Sequence, residues 1–116
     1  MIELRWTKAE LAAEIARRAD APDHQLLAIF DVVAEAADEG AIAAAPHAAS
    51  TWTAEIRDLL HNLAHRVGLA EPESFAAAWR ALMDGSLVAA IGGDVAAIAA
   101  ARAAGALALD HWPRAE

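Results

Sequence analysis

The sequence predicts an all-α fold, a single domain of five helices spanning residues 1–116. Three observations carry this. Apolar residues recur at three- and four-residue spacing through each long segment, the period of an amphipathic helix. The breaks between segments (Asp20-Ala21-Pro22, Gly40, Gly68 ahead of Glu71-Pro72, Gly92-Gly93-Asp94) are of the kind that stop and start helices. No run alternates apolar and polar residues as a half-buried strand does.

Hydrophobic residues make up 58% of the chain, alanine supplying about half of that share. A buried Leu, Ile or Phe contributes about 1.5–3 kcal/mol and an Ala far less. The core is therefore wide in area but thin in bulk, which calls for closely packed helices or a second copy of the chain.

The first helix is expected over Lys8–Ala19, capped by Thr7 with Glu10 completing a capping box. Leu4, Trp6, Leu11, Ile15 and Ala19 form a narrow stripe, which suggests a peripheral helix. The second begins at Pro22, suited to a first helical turn, and runs to about Asp38 with Gly40 as its stop. Leu26, Phe30, Val33 and Ala37 share one face, widened by Leu27 and Ile29. Ala41 to Ser50 suits either a loop or a helical start at Pro46.

The third helix is expected from Ser50 to Val67, closed by Gly68, with Trp52, Ile56, Leu59, Leu60, Leu63 and Val67 as its stripe. The fourth opens at Pro72 and is apolar nearly all round, which reads as a buried helix. Phe75, Trp79, Leu82, Ser86, Leu87 and Ala90 line one side and Ala77, Ala81 and Val88 the other; Arg80 and Asp84, at i, i+4, form a wet edge. Asp94 is expected to cap the fifth helix, which Pro113 ends. Ile98, Gly105, Leu109 and Trp112 share one of its faces, and Ala97, Ala100, Ala104 and Ala108 the next.

The formal net charge is −8, with one lysine and eight arginines spread along the chain. Such a surface repels phosphate backbones and argues against direct nucleic-acid binding. The chain has no cysteine, hence no disulfide or thiolate chemistry. Its charged N-terminus is unlike a signal peptide. The apolar stretch from Gly85 to Leu109 is broken in the middle by Gly92-Gly93-Asp94, and neither half reaches the roughly 20 residues a membrane span needs.

Catalytic groupings are missing. Ser50, Ser74 and Ser86 sit in no nucleophile elbow and no Gly-rich loop follows a strand, so neither an enzymatic role nor a cofactor is expected. Asp58, His61 and His65 share a helix face at i, i+3 and i, i+7, a spacing that suits a metal. No further ligands accompany them, and the solvated-face reading is preferred; no metal site is assigned.

The run from Leu26 to Ala108 resembles the C-terminal domain of TetR-family transcriptional regulators. Leu27-Ala28-Ile29-Phe30-Asp31-Val32-Val33-Ala34-Glu35 is similar to the helix that follows the DNA-binding part. Arg57-Asp58-Leu59-Leu60, continued by Ala64 to Glu73, is similar to the next long helix and its turn. Leu82 to Ala90, then Gly93-Asp94 and an Ala- and Arg-rich helix, is similar to the two dimerising helices. The resemblance implies a cytoplasmic effector-binding and dimerisation domain, its last two helices pairing with those of a second subunit as a four-helix bundle. The family's N-terminal helix-turn-helix has no counterpart here. This chain is thus not expected to read an operator itself, although it could pair with a full-length relative as a heterodimer.

Two sets of residues follow. Phe30, Val33, Ala37, Trp52, Ile56, Trp79 and Met83 line an apolar pocket for a small apolar ligand, or else simply fill the core. His47 is a polar candidate at the pocket mouth. Leu82, Ser86, Ala89, Ala97, Ala100, Ala101, Ala104 and Ala108 form the homodimer interface, because helices so bare of charge rarely stay uncovered in a short chain. The competing reading is a purely structural dimerisation module without a ligand pocket.

Overall fold

The computed structural model describes residues 2–4, 8–38, 42–44, 50–94 and 96–115, with side chains over 9–35, 56–94 and 96–115. Five α-helices follow one another among these residues: α1 (Lys8–Arg18), α2 (Pro22–Asp38), α3 (Ser50–Val67), α4 (Pro72–Ile91) and α5 (Ala97–His111). The all-α expectation holds for them. A two-stranded antiparallel ribbon is added, β1 (Ile2–Leu4) paired with β2 (Ile42–Ala44) in the register Ile2 to Ala44 and Leu4 to Ile42. The sequence gives no sign of it because three residues are too few to show alternation, and alanine has little strand preference.

The helix α2 is the hub, packing against α1, α3, α4 and α5. Its buried face explains this: Leu26, Ile29, Phe30 and Val33 are fully buried, and Ala28 and Val32 nearly so, leaving little of the helix in water. The narrow stripe of α1 is enough to dock it, since Leu11 and Ile15 are both buried. Gln25, also buried, donates from Nε2 to the carbonyl of Ala19 at 2.9 Å and so satisfies the end of α1. Thr7, Gly40 and His47 lie outside the described residues.

Two helix ends share one mechanism. Gly68 (φ 88°) and Gly93 (φ 108°) adopt the left-handed conformation that glycine takes without steric cost. Around Gly68, its own N–H bonds the carbonyl of His65 and the N–H of Leu69 that of Ala64. Around Gly93 the same pair runs to Ala90 and, from Asp94, to Ala89. Both are Schellman caps.

Past the second cap, α5 starts later than expected. Asp94 lies ahead of the helix, its Oδ1 accepting from the Ala96 N–H at 3.2 Å, and Ala96 itself holds the N-cap position. The αL residue at Gly93 turns the chain before Asp94, so the carboxylate closes a local turn instead of the helix end.

The C-terminus clasps the α3–α4 turn. Trp112 donates from Nε1 to the carbonyl of Ala70 at 2.7 Å, and Ala70 N–H bonds the carbonyl of Pro113 at 2.8 Å. Ala115 N–H bonds Gly68, and the Trp112 ring meets Phe75 edge-on at 5.1 Å. No helix among the described residues is long and apolar enough to cross a membrane.

Candidate functional site

Two regions bear on function, the aromatic centre of the bundle and the outer face of the α4–α5 hairpin. At the centre, Phe30 of α2 and Trp79 of α4 have ring centroids 5.3 Å apart, and Phe75 stacks on Trp79 at 5.2 Å. Gly105 of α5 faces this ring: a Cβ added there would come within 2.9 Å of Trp79 Cη2 and 3.4 Å of Phe30. The absence of a side chain at 105 is what lets α5 close over the tryptophan.

Of the predicted pocket residues, Phe30, Val33, Ile56, Trp79 and Met83 are all buried in one cluster. The side chains of Ala37 and Trp52 lie outside the described residues. One atom of the cluster stands out. Trp79 Nε1 is buried and has no hydrogen-bond partner among the described residues; orphaned donors of this kind are uncommon in native cores.

The outer face is organised by the large residues of α4. Phe75, Trp79, Met83 and Leu87 turn inward, so the helical period sends Ala78, Ala81, Gly85 and Val88 outward, and all four are exposed. The expectation that α4 is buried nearly all round is therefore corrected: one whole side is open. On α5 the inward set is Ile98, Ala101, Gly105 and Leu109, and Ala99, Ala100, Ala103, Ala104 and Leu107 are exposed. Val88, Ile91 and Leu107 show 59%, 58% and 63% of their surface, high values for large aliphatic side chains.

These outward positions are apolar, and the nearest charge along α5 is the exposed Asp110, one turn beyond Leu107. At the edges, Arg80 Nε pairs with Asp84 at 2.8 Å and Arg102 Nε with Asp31 of α2 at 3.0 Å. Each of these two cations is thus matched within the chain.

The residues expected at the dimer interface divide. Ala100 and Ala104 are exposed and belong to the open face. Leu82, Ala89, Ala97 and Ala108 are half-buried, and Ser86 and Ala101 are buried within the chain, Ser86 Oγ donating to the Met83 carbonyl at 2.8 Å. That second group is at least half covered by the chain's own packing, and α4 and α5 pack against each other within the chain. Ala78, Ala81, Gly85, Val88, Ala99, Ala103 and Leu107 are the outward residues the interface assignment leaves out. Their signal was the direction opposite Phe75, Trp79 and Met83.

No protein-family model matches the chain, and neither the curated proteins nor the solved structures contain a match.

The polar face of α3 contributes to a third feature, a cleft of about 420 Å³ against α4 lined by Arg57, Asp58, His61, Glu73 and Ala76. It joins Asp58 and His61; His65 is exposed and not part of its lining. Among the described residues, no three His, Asp or Glu side chains are grouped closely enough to hold a metal ion.

Proposed function

We propose that this chain is a dimerisation module whose partner is a second copy, joined through the outer face of α4 and α5. The observation that carries it is the apolar face from which Val88, Ile91 and Leu107 project. A contiguous apolar patch of this kind on a soluble chain marks an interaction surface, and a two-fold pair is the commonest way to close one. The chain carries a net −8, so two copies repel except where a neutral face lets them meet. Pairing of the last two helices across a two-fold axis is also what the resemblance to TetR-family C-terminal domains implies. A cytoplasmic regulatory role, exercised by pairing with a full-length relative, belongs to the same reading.

A second reading, binding of a small apolar effector among Phe30, Val33, Ile56, Trp79 and Met83, is favoured by one observation. Trp79 Nε1 is a buried donor without an acceptor among the described residues, and a ligand carrying a carbonyl or ether oxygen would supply one.

Native mass spectrometry of the purified protein tests both. A dimer in the parent that becomes a monomer in Leu107→Glu supports the first reading. A monomeric parent overturns it. Extra mass on the parent that is absent from Trp79→Phe supports the second, and a parent of bare chain mass counts against it.

A further inference from the structure

We propose that the cleft between α3 and α4 binds a small zwitterion, a molecule of amino-acid type with one ammonium and one carboxylate group. The described lining is almost wholly ionic. The guanidinium of Arg57, the carboxylates of Asp58 and Glu73 and the imidazole of His61 surround about 420 Å³, and Ala76 adds a methyl. Groups of opposite charge share this space without closing on one another. None of the four makes an ion pair or a side-chain hydrogen bond among the described residues.

Elsewhere the chain does not leave such groups apart. Arg17, Arg18, Arg80 and Arg102 each hold a carboxylate of the same chain. Arg57 and Arg66 are the described arginines with no such contact and no hydrogen bond, and of the two only Arg57 lines the cleft. Helix geometry accounts for this. Arg57 and Asp58 are consecutive, so their side chains leave α3 about 100° apart and do not face each other. His61 lies one turn beyond both. Glu73 stands in the first turn of α4, on the opposite wall, and the buried Ala76 keeps the floor low.

The charges select the ligand. A simple anion would meet Asp58 and Glu73, and a simple cation would meet Arg57. A zwitterion answers both: its carboxylate suits the planar fork of Arg57, and its ammonium brings three donors for Asp58, Glu73 and the ring of His61. It also adds no net charge to a chain at −8. A cleft of this volume is within the range of small-molecule sites, which is about 300–1,000 Å³. With one methyl among ionic groups, the lining suits a polar molecule and not an apolar effector.

The test is an amide NMR titration of the whole chain with glycine, L-serine and L-glutamine at millimolar concentration. Each is compared with its N-acetyl form, which lacks the ammonium, and its C-terminal amide, which lacks the carboxylate. The amides of Arg57, Asp58, His61 and Glu73 are expected to shift saturably with the zwitterions, and the blocked forms to bind at least fivefold more weakly. Arg57→Gln and Glu73→Gln are each expected to weaken binding by a similar factor. His65→Gln, exposed on α3 outside the lining, is expected to stay within twofold of the parent.

No saturable shift with any of the three zwitterions overturns the proposal. Equal binding of the blocked forms overturns it too, because the two charges would then not be what is read. Parent-like affinity in both Arg57→Gln and Glu73→Gln places the binding elsewhere on the chain and has the same consequence. An Arg57→Gln chain without the dispersed spectrum of a folded protein also overturns it, since the guanidinium would then serve the fold and not a ligand.

Discussion

At Gly105 a single hydrogen atom decides how closely α5 approaches the core. Adding a methyl group brings it within 2.9 Å of a ring packed against Phe30 and Phe75. Trp79 is fully buried, so Gly105→Ala is overpacking, at a cost of about 1–3 kcal/mol. The better helix propensity of alanine returns at most about 1 kcal/mol. Urea denaturation should show a net loss of stability, and an unchanged midpoint would mean that the Trp79 ring has room to move. Glu71 presents the opposite case. It is a non-glycine residue in the left-handed region, at φ 46°, immediately ahead of Pro72. A left-handed conformation costs an L-residue about 1–2 kcal/mol and asparagine less, and its side chain makes no capping bond. Glu71→Asn is therefore expected to raise stability by up to about 1 kcal/mol, measured the same way. The sequence shows a glycine at 105 but not the ring above it, and nothing in Glu71-Pro72 announces a positive φ. Both depend on where distant elements come to rest.

Among the elements, α1 is tied down by charge as well as by Leu11 and Ile15. Glu14 accepts from Arg17 and from Arg18 Nε at 2.9 Å, and Arg18 reaches across to Glu35 of α2. The hydrogen bonds from Arg17 and then Arg18 hold the Glu14 carboxyl down to about 2 from its ordinary 4.5. A carboxylate depressed in the folded state stabilises that state above its unfolded pKa, and the contribution fades as pH falls toward the folded value. Titration from pH 5 to pH 2 should thus lose the pairs from Glu14 to Arg17 and Arg18, which brace the last turns of α1. Glu14→Gln should remove that share of the pH dependence, and a variant whose acid limb overlays the parent would show the ties to be inconsequential. Helix limits were the most readable feature of the sequence. The predicted start and end of α2 and α3 coincide with those observed, because Pro22, Ser50 and Gly68 act locally. The ribbon of β1 and β2 was not legible, being a long-range pairing of segments too short to carry a pattern. The open face of the α4–α5 hairpin was legible only in part. Alanine occupies both the flanks that meet within the chain and the side that does not, so small size alone cannot tell them apart. The bulky residues can, since Phe75, Trp79 and Met83 fix the inward direction and the outward one follows.

For the molecule as a whole, the charge balance sets how association should respond to salt. Each copy carries −8, while the proposed interface is apolar up to Asp110 and its edge cations are closed in pairs with Asp84 and Asp31. Bringing two such copies together adds net repulsion and gains no intermolecular ion pair. Salt screens the repulsion, the Debye length falling from about 30 Å at 0.01 M to about 8 Å at 0.15 M, and leaves apolar burial in place. The dimer should therefore tighten as salt is raised across that range, which sedimentation equilibrium at the two ionic strengths would measure directly. An interface held by ion pairs between copies would respond in the opposite sense. A dimer that loosens with added salt would place the contact on a charged surface such as the Arg57, Asp58 and Glu73 cleft instead of the open side of α4 and α5.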